Sequence, residues 1–168
     1  MALPKLRIHQ IQGNKVEAIQ YMEYATGQTF LSYEIVKMEA GNTGKIVVSG
    51  ADPASGTIVG ITLQAADSSP GFQMANNPAT FTYRSQKVSV CRPNDETIFA
   101  GCLTNGSSTP VAAAVTDIGQ QYGVTAYSGI WTIDKAKTGG SARVTIVGYD
   151  TDQNPDQVFF KFISSFLA

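Results

Sequence analysis

Residues 122–150, YGVTAYSGIWTIDKAKTGGSARVTIVGYD, contain the clearest β-strand patterns in the chain. Branched and aromatic side chains recur at a spacing of two from Ile130 to Asp134, and again from Arg143 to Val147. A polar bend with two glycines, residues 135–141, separates the two runs. This alternation is typical of strands with one face buried, so the stretch predicts two strands that pair as a hairpin around the bend.

Comparable runs recur along the rest of the chain, with glycine, proline and asparagine between them. Strands are predicted at residues 30–39, 45–49, 57–66, 81–91, 97–104 and 157–163. Gly60 falls inside one of them, where it indicates a bulge or a close approach of another backbone. Sixteen glycines, seven prolines and 15% charged residues also suit many strands joined by turns. The expected fold class is all-β: a compact antiparallel β-barrel or β-sandwich with an extended N-terminal arm.

A length of 168 residues predicts a single domain that can bury its own core. Residues 1–25 are expected to be an N-terminal arm or edge strand, and residues 26–168 the single barrel or sandwich domain with an apolar C-terminal strand. Leu3, Leu6 and Ile8 are the candidate contact residues of the arm. The competing interpretation is an ordinary frayed terminus.

The C-terminal segment is rich in phenylalanine, with four of the eight in the last ten residues. On a strand, Val158, Phe160 and Phe162 would face one side, and Phe159, Lys161 and Ile163 the other. One face can fill the core, while a second apolar face left in water would be sticky. The segment therefore predicts a protein contact through residues Phe159, Ile163, Phe166 and Leu167. The alternative is that the second sheet of a sandwich covers that face.

The charges argue against a polyanionic partner. Lys and Arg number 12 against 13 acidic residues, and they are scattered, so we expect neither nucleic-acid nor membrane-surface binding. No run approaches the roughly 20 apolar residues that span a bilayer, and the N-terminus lacks a signal-peptide pattern. Cys91 and Cys102 have no metal-ligand spacing. They are expected to be small apolar strand residues, with a cross-strand disulfide as the alternative.

Catalytic signals are few. The chain has no nucleophile elbow, phosphate-binding loop or dinucleotide fingerprint, and its one histidine, His9, lies near the N-terminus. Asp134 and Asp150 could form a carboxylate pair across the predicted hairpin, as a glycoside hydrolase would need. We therefore expect a protein that is not an enzyme and has no cofactor.

Two polar segments carry alternative interpretations. Asp150, Asp152 and Asn154 begin like a calcium loop, but the glycine and glutamate of an EF-hand are missing from its sixth and twelfth positions, which favours a polar hairpin loop. Asn105, Gly106 and Ser107 match a glycosylation sequon within the predicted turn at residues 105–110.

Several passages resemble the head decoration, or cement, proteins of tailed bacteriophages. They are FLSYEIVKMEAG at residues 30–41, IVGITLQAA at 58–66, IGQQYGV at 118–124, GIWTID at 129–134 and ARVTIVG at 142–148. The resemblance implies a structural virion protein on the outer surface of the capsid, assembled in the host bacterial cytoplasm. It also implies that the partner is the major capsid protein, whose neighbouring subunits the chain would staple as a homo-oligomer, a trimer or dimer.

A second function class fits the same all-β reading. It is a β-sandwich module of a phage tail or fibre that binds a carbohydrate or a receptor. A hydrolase that uses paired carboxylates is a third and weaker hypothesis.

Overall fold

A computed structural model describes residues 6–11, 19–41, 43–50, 53–54, 56–63, 87–94, 97–152 and 154–168. Within these ranges the chain is all-β, as predicted. The strands are β1 (Arg7–Ile11), β2 (Ile19–Glu23), β3 (Ile35–Met38), β4 (Ile46–Val48), β5 (Ile58–Thr62), β6 (Lys87–Cys91), β7 (Thr97–Thr104), β8 (Gln121–Tyr127), β9 (Ile130–Asp134), β10 (Val144–Tyr149) and β11 (Gln157–Phe162). Short 3-10 turns occur at Val115–Asp117, Gly139–Ser141 and Ser164–Phe166. A helix long and apolar enough to cross a membrane is not found in the described ranges.

One half of the molecule is a closed five-stranded barrel. Its strands follow the order β7-β11-β10-β8-β9, and β9 returns to pair with β7. The closing contact is parallel, with Leu103 opposite Ile133 and Thr104 opposite Asp134. β1 adds to the barrel by pairing antiparallel with the first part of β7. Closure leaves few unpaired strand edges for other chains to add to.

The hairpin predicted within residues 122–150 is wrong in its pairing, although both of its strands exist. β9 pairs antiparallel with β8, and a two-residue turn at Ser128 and Gly129 joins them. Both turn residues have positive φ, which suits a tight hairpin connection. β10 pairs instead with β8 and β11.

The segment between β9 and β10 explains the difference, because it crosses the start of β8. Gly123 donates its N–H to the carbonyl of Lys137 at 2.7 Å, and Arg143 donates its N–H to the carbonyl of Tyr122 at 2.8 Å. A Cβ on Gly123 would lie only 2.4 Å from Cβ of Lys137. The bend is therefore a crossover that carries the chain to the far side of β8.

The second half is a five-stranded antiparallel sheet in the order β2-β6-β5-β3-β4. β3 and β4 pair as neighbours, as the runs at residues 30–39 and 45–49 predict. Tyr24, just after β2, bridges to Ile46 of β4, and Ala25 donates its N–H to the Ile46 carbonyl at 3.0 Å. The sheet therefore curls so that its two edge strands, β2 and β4, approach each other at Tyr24 and Ile46.

Gly60 has the close backbone approach that the sequence predicts. A Cβ at this position would lie 2.1 Å from the carbonyl oxygen of Cys91, a distance that real contacts do not reach. The pairing of β3 with β5 also shifts register beside Gly60, between Val36 and Lys37. β5 can therefore lie against β6 only because residue 60 has no side chain.

A single apolar core joins the two halves. Ile35, Ile58 and Ile61 of the second sheet belong to the same buried cluster as the barrel residues. Three phenylalanines, Phe99, Phe160 and Phe162, contact one another with ring centroids 5.4–5.7 Å apart. Such pairs contribute about 0.5–1.5 kcal/mol each beyond their burial. A smaller cluster that includes Phe30 and Val88 fills the second sheet.

Candidate interaction surface

The three predicted contact residues of the N-terminal arm do not share one environment. Leu3 lies outside the described residues. Ile8 lies on β1, opposite Phe99 of β7. Leu6 is fully buried in the core, and its Cδ2 would lie 2.5 Å from a Cβ on Gly101. Leu6 is therefore a core residue of the barrel, and the prediction that it is a free contact residue needs correction.

β11 shows the face alternation that the sequence predicts. Val158, Phe160 and Phe162 are buried, whereas Phe159, Lys161 and Ile163 are only partly buried. Phe159 lies opposite Gly148 of β10, with ring atom Cδ2 3.4 Å from where a Cβ of that glycine would stand. The outer face of β11 thus presents one aromatic side chain beside a glycine.

After β11 the chain forms hydrogen bonds with both the barrel and the second sheet. Ile163 donates its N–H to the Arg143 carbonyl at 2.9 Å, Gly56 donates to the Ser165 carbonyl at 3.0 Å, and Ala168 donates to the Ile58 carbonyl at 2.8 Å. Phe166 and Leu167 pack against the main core as partly buried residues. These two predicted contact residues therefore hold the two halves of the molecule together.

The side chain of Arg143 contacts this tail at Phe166. Its side chain is buried, and Nε donates to the Pro53 carbonyl at 2.8 Å, while Nη1 donates to the carbonyls of Gly140 and Ala142 at 2.8 Å each. The Phe166 ring covers the guanidinium. This role could not be predicted from the sequence, because Arg143 is there only a polar position in an alternating strand.

Three exposed large apolar side chains of the described barrel residues belong to β10 and to the turn before β8. Val115 is 68% exposed, Ile118 45% and Val147 38%. The first two belong to the turn before β8, and this turn lies along β10: Gly119 donates its N–H to the Ile146 carbonyl at 2.8 Å, and Ile146 donates to the Gln120 carbonyl at 2.9 Å. Val115, Ile118 and Val147 are called the flank patch below. Phe159 lies opposite Gly148, the residue that follows Val147.

A buried carboxylate holds the turn that carries the flank patch. Asp117 accepts hydrogen bonds from the hydroxyl of Tyr122 at 2.6 Å and from the N–H of Ala114 at 2.8 Å. The ammonium of Lys135 lies 2.7 Å from the same carboxylate. Since its partners belong to β8 and to the end of β9, Asp117 ties the turn to the barrel wall.

The pKa values at this cluster shift in opposite directions. Burial alone would raise the pKa of Asp117, but hydrogen bonds from Lys135, Tyr122 and Ala114, together with the charge of Lys135, hold it below its ordinary value. Burial, and then the hydrogen bond and charge of Asp117, raise the pKa of Tyr122 to about 12. The cluster is therefore an ionised carboxylate held by a neutral phenol and a cation, an arrangement that supports the fold.

A second exposed apolar pair lies on β2. Ile19 is 43% and Tyr21 72% exposed, and among the described strands β2 pairs with β6 alone. This pair belongs to the sheet half and is separate from the flank patch. The sequence did not single out either surface, because Val115 and Ile118 lie in a segment that reads equally as a helical turn or a strand.

Asp134 and Asp150, the two aspartates of the predicted carboxylate pair, each accept hydrogen bonds that stabilise nearby turns. Asp134 is buried and accepts hydrogen bonds from the N–H groups of Gly106 at 2.8 Å and Ala136 at 3.0 Å, and from the hydroxyl of Thr125 at 3.1 Å. Asp150 accepts the N–H of Asp152 at 3.0 Å, as in a polar turn. The described part of the chain contains no group of three or more His, Cys, Asp or Glu side chains able to hold a metal ion.

Both cysteines are free and buried, which confirms the expectation of small core residues. Burial raises the pKa of Cys91 to about 11. Burial, and then the charge and hydrogen bond of Asp156, raise the pKa of Cys102 to about 12. Neither thiol is therefore poised as a nucleophile or a metal ligand.

No family model and no curated protein matches the chain.

Proposed function

We propose that this chain is a structural virion protein that binds the outer surface of a phage capsid and staples neighbouring major capsid subunits. The observation that carries the proposal is the flank patch, three exposed aliphatic side chains on the outside of a closed barrel. The resemblance of five sequence passages to capsid cement proteins supports the same partner.

The flank patch is suited to binding because it is exposed and rigidly held. Fully burying a side chain such as Val or Ile contributes about 1.5–3 kcal/mol, and the Asp117 cluster fixes the turn before any partner arrives, so little conformational entropy is lost on docking. One patch of three residues is a small contact. A symmetric homo-oligomer would present several copies at once and gain avidity.

Capsid stabilisation then follows from mass action. A protein that binds the assembled shell, and not its separated subunits, stabilises the shell in proportion to the logarithm of its free concentration over its Kd. This mechanism requires contact area and geometric fit, without any chemical step.

Co-sedimentation with mature, undecorated heads of the phage that encodes the chain tests the proposal. We expect saturable binding at a fixed ratio to the major capsid protein, and an oligomeric mass by light scattering. Failure to bind, with a monomeric mass, would overturn the proposal and favour the carbohydrate- or receptor-binding alternative, which a glycan array would then examine.

A further inference from the structure

The turn after β7 contains the one Asn-Gly pair in the sequence, Asn105 and Gly106. Asn105 and the residues after it, up to Thr109, are exposed, and Gly106 has a φ of +73°. An exposed asparagine followed by glycine is the sequence most prone to losing its side-chain amide, because glycine leaves the following backbone nitrogen unhindered. Asn105 is therefore chemically suited to spontaneous deamidation.

The reaction needs no cofactor. The backbone nitrogen of Gly106 gives up its proton and bonds to Cγ of Asn105, the Cγ–Nδ2 bond breaks, and ammonia leaves. The five-membered succinimide that forms is then opened by water at either of its two carbonyls. The product at residue 105 is an aspartate or an isoaspartate, and in both cases the turn gains a negative charge.

The position of Asp134 opposes the first step. The N–H of Gly106 points at Oδ1 of Asp134, with 2.8 Å between nitrogen and oxygen. In the succinimide, the nitrogen keeps its bonds to the backbone on both sides, so the new bond to Cγ must take the place of the N–H bond. Oδ1 of Asp134 thus occupies the direction from which Cγ of Asn105 would have to approach.

The blocking carboxylate is itself held firmly. The N–H of Ala136 donates to the same Oδ1 at 3.0 Å, and the hydroxyl of Thr125 donates to Oδ2 at 3.1 Å. Asp134 is only 2% exposed, so it cannot swing into solvent without breaking these contacts. Its negative charge also disfavours loss of the proton from the Gly106 nitrogen.

We propose that Asn105 is a latent deamidation site and that Asp134 keeps it intact by capping the nitrogen that would attack. The inference concerns the lifetime of the folded chain and is independent of the proposed function. It assigns a protective role to a carboxylate that otherwise reads as a turn-stabilising residue.

The test follows residue 105 in full-length protein incubated at mildly alkaline pH, using peptide mass spectrometry and enzymatic isoaspartate detection. Asp134→Ala removes the cap, whereas Asp134→Asn keeps an oxygen acceptor at the same place. We expect deamidation of Asn105 in Asp134→Ala to be at least about tenfold faster than in the unaltered protein, a barrier difference of about 1.4 kcal/mol. Asp134→Asn should remain much closer to the unaltered protein.

If Asp134→Ala fails to fold, the deamidation rate of the unaltered protein in urea provides a second test. In urea, Asn105 of the unaltered chain should deamidate at least about tenfold faster than in the folded chain, because unfolding removes the cap. Equal rates at Asn105 in the folded and the urea-unfolded unaltered chain, or equal rates in folded Asp134→Ala and Asp134→Asn, would overturn the proposal.

Discussion

The guanidinium carbon of Arg143 lies 4.3 Å from the centre of the Phe166 ring. This contact joins the start of β10 to the C-terminal tail. The same side chain also contacts the segment that precedes β5, because its Nε donates a hydrogen bond to the Pro53 carbonyl. Arg143 is thus a junction between the barrel, the tail and the second sheet.

Arg143→Met should destabilise the protein by about 2–5 kcal/mol, because it leaves three carbonyls without their donor and uncovers Phe166. Urea denaturation measures the loss. Arg92→Met is the matched control, since Arg92 also donates to the tail, at the Ala168 carbonyl, but at an exposed position; it should cost less than about 1 kcal/mol. Equal losses in the two variants would contradict the junction role.

Gly60→Ala should be among the most damaging small substitutions in the chain. The added methyl would meet the Cys91 carbonyl at 2.1 Å, so β5 and β6 must separate, at a cost of about 2 kcal/mol or more. Gly140→Ala is the control, because a Cβ there has no neighbour within 4 Å and the glycine lacks a positive φ. A thermal melt in which the two variants match would show that the strands can move apart freely.

Acid should weaken the cluster around Asp117. Since its folded pKa lies below its ordinary value, the unfolded chain binds a proton more readily, and stability falls as the pH drops from about 4 through the folded pKa. Above about pH 4 the contribution is complete. Unfolding free energies of the unaltered protein and of Asp117→Asn should therefore differ most near neutrality and converge in acid. A constant difference down to about pH 2.5 would argue against an ionised Asp117 in the fold.

The two thiols should resist modification in the native state. Because burial raises the pKa of Cys91 to about 11 and that of Cys102 to about 12, almost no thiolate exists at pH 8. Ellman's reagent should therefore label neither residue until denaturant is added, and then label both. Rapid labelling of either one in the folded protein would contradict its burial in β6 or β7.

Local alternation predicts the strands well because burial of one face leaves a direct mark on the sequence. β7 falls at the predicted residues, β11 shows the expected inward and outward faces, and Gly60 reveals a close approach through its missing side chain. In each of these cases the physical cause is short in range.

The sequence pattern predicts the pairing of β3 with β4 but not the partners of β9 and β10. β9 and β10 read as a hairpin because only a short bend separates them, yet β8 lies between them since the turn at Ser128 and Gly129 is tighter. The packing of the C-terminal tail could not be predicted either. Phe166 packs against Arg143, which lies 23 positions earlier in the chain, and no local pattern connects the two residues. The flank patch depends on how a turn lies along β10, which no local pattern encodes.

The measurement that tests the central claim most directly is co-sedimentation of two surface variants with undecorated heads. One variant carries Val115→Ser, Ile118→Ser and Val147→Thr in the flank patch, and the other carries Ile19→Ser and Tyr21→Ser on β2. Circular dichroism melts would first confirm that both remain folded. We expect the flank-patch variant to lose binding by about tenfold or more while the β2 variant sediments like the unaltered protein. Full binding by the flank-patch variant, or loss confined to the β2 variant, would contradict the account.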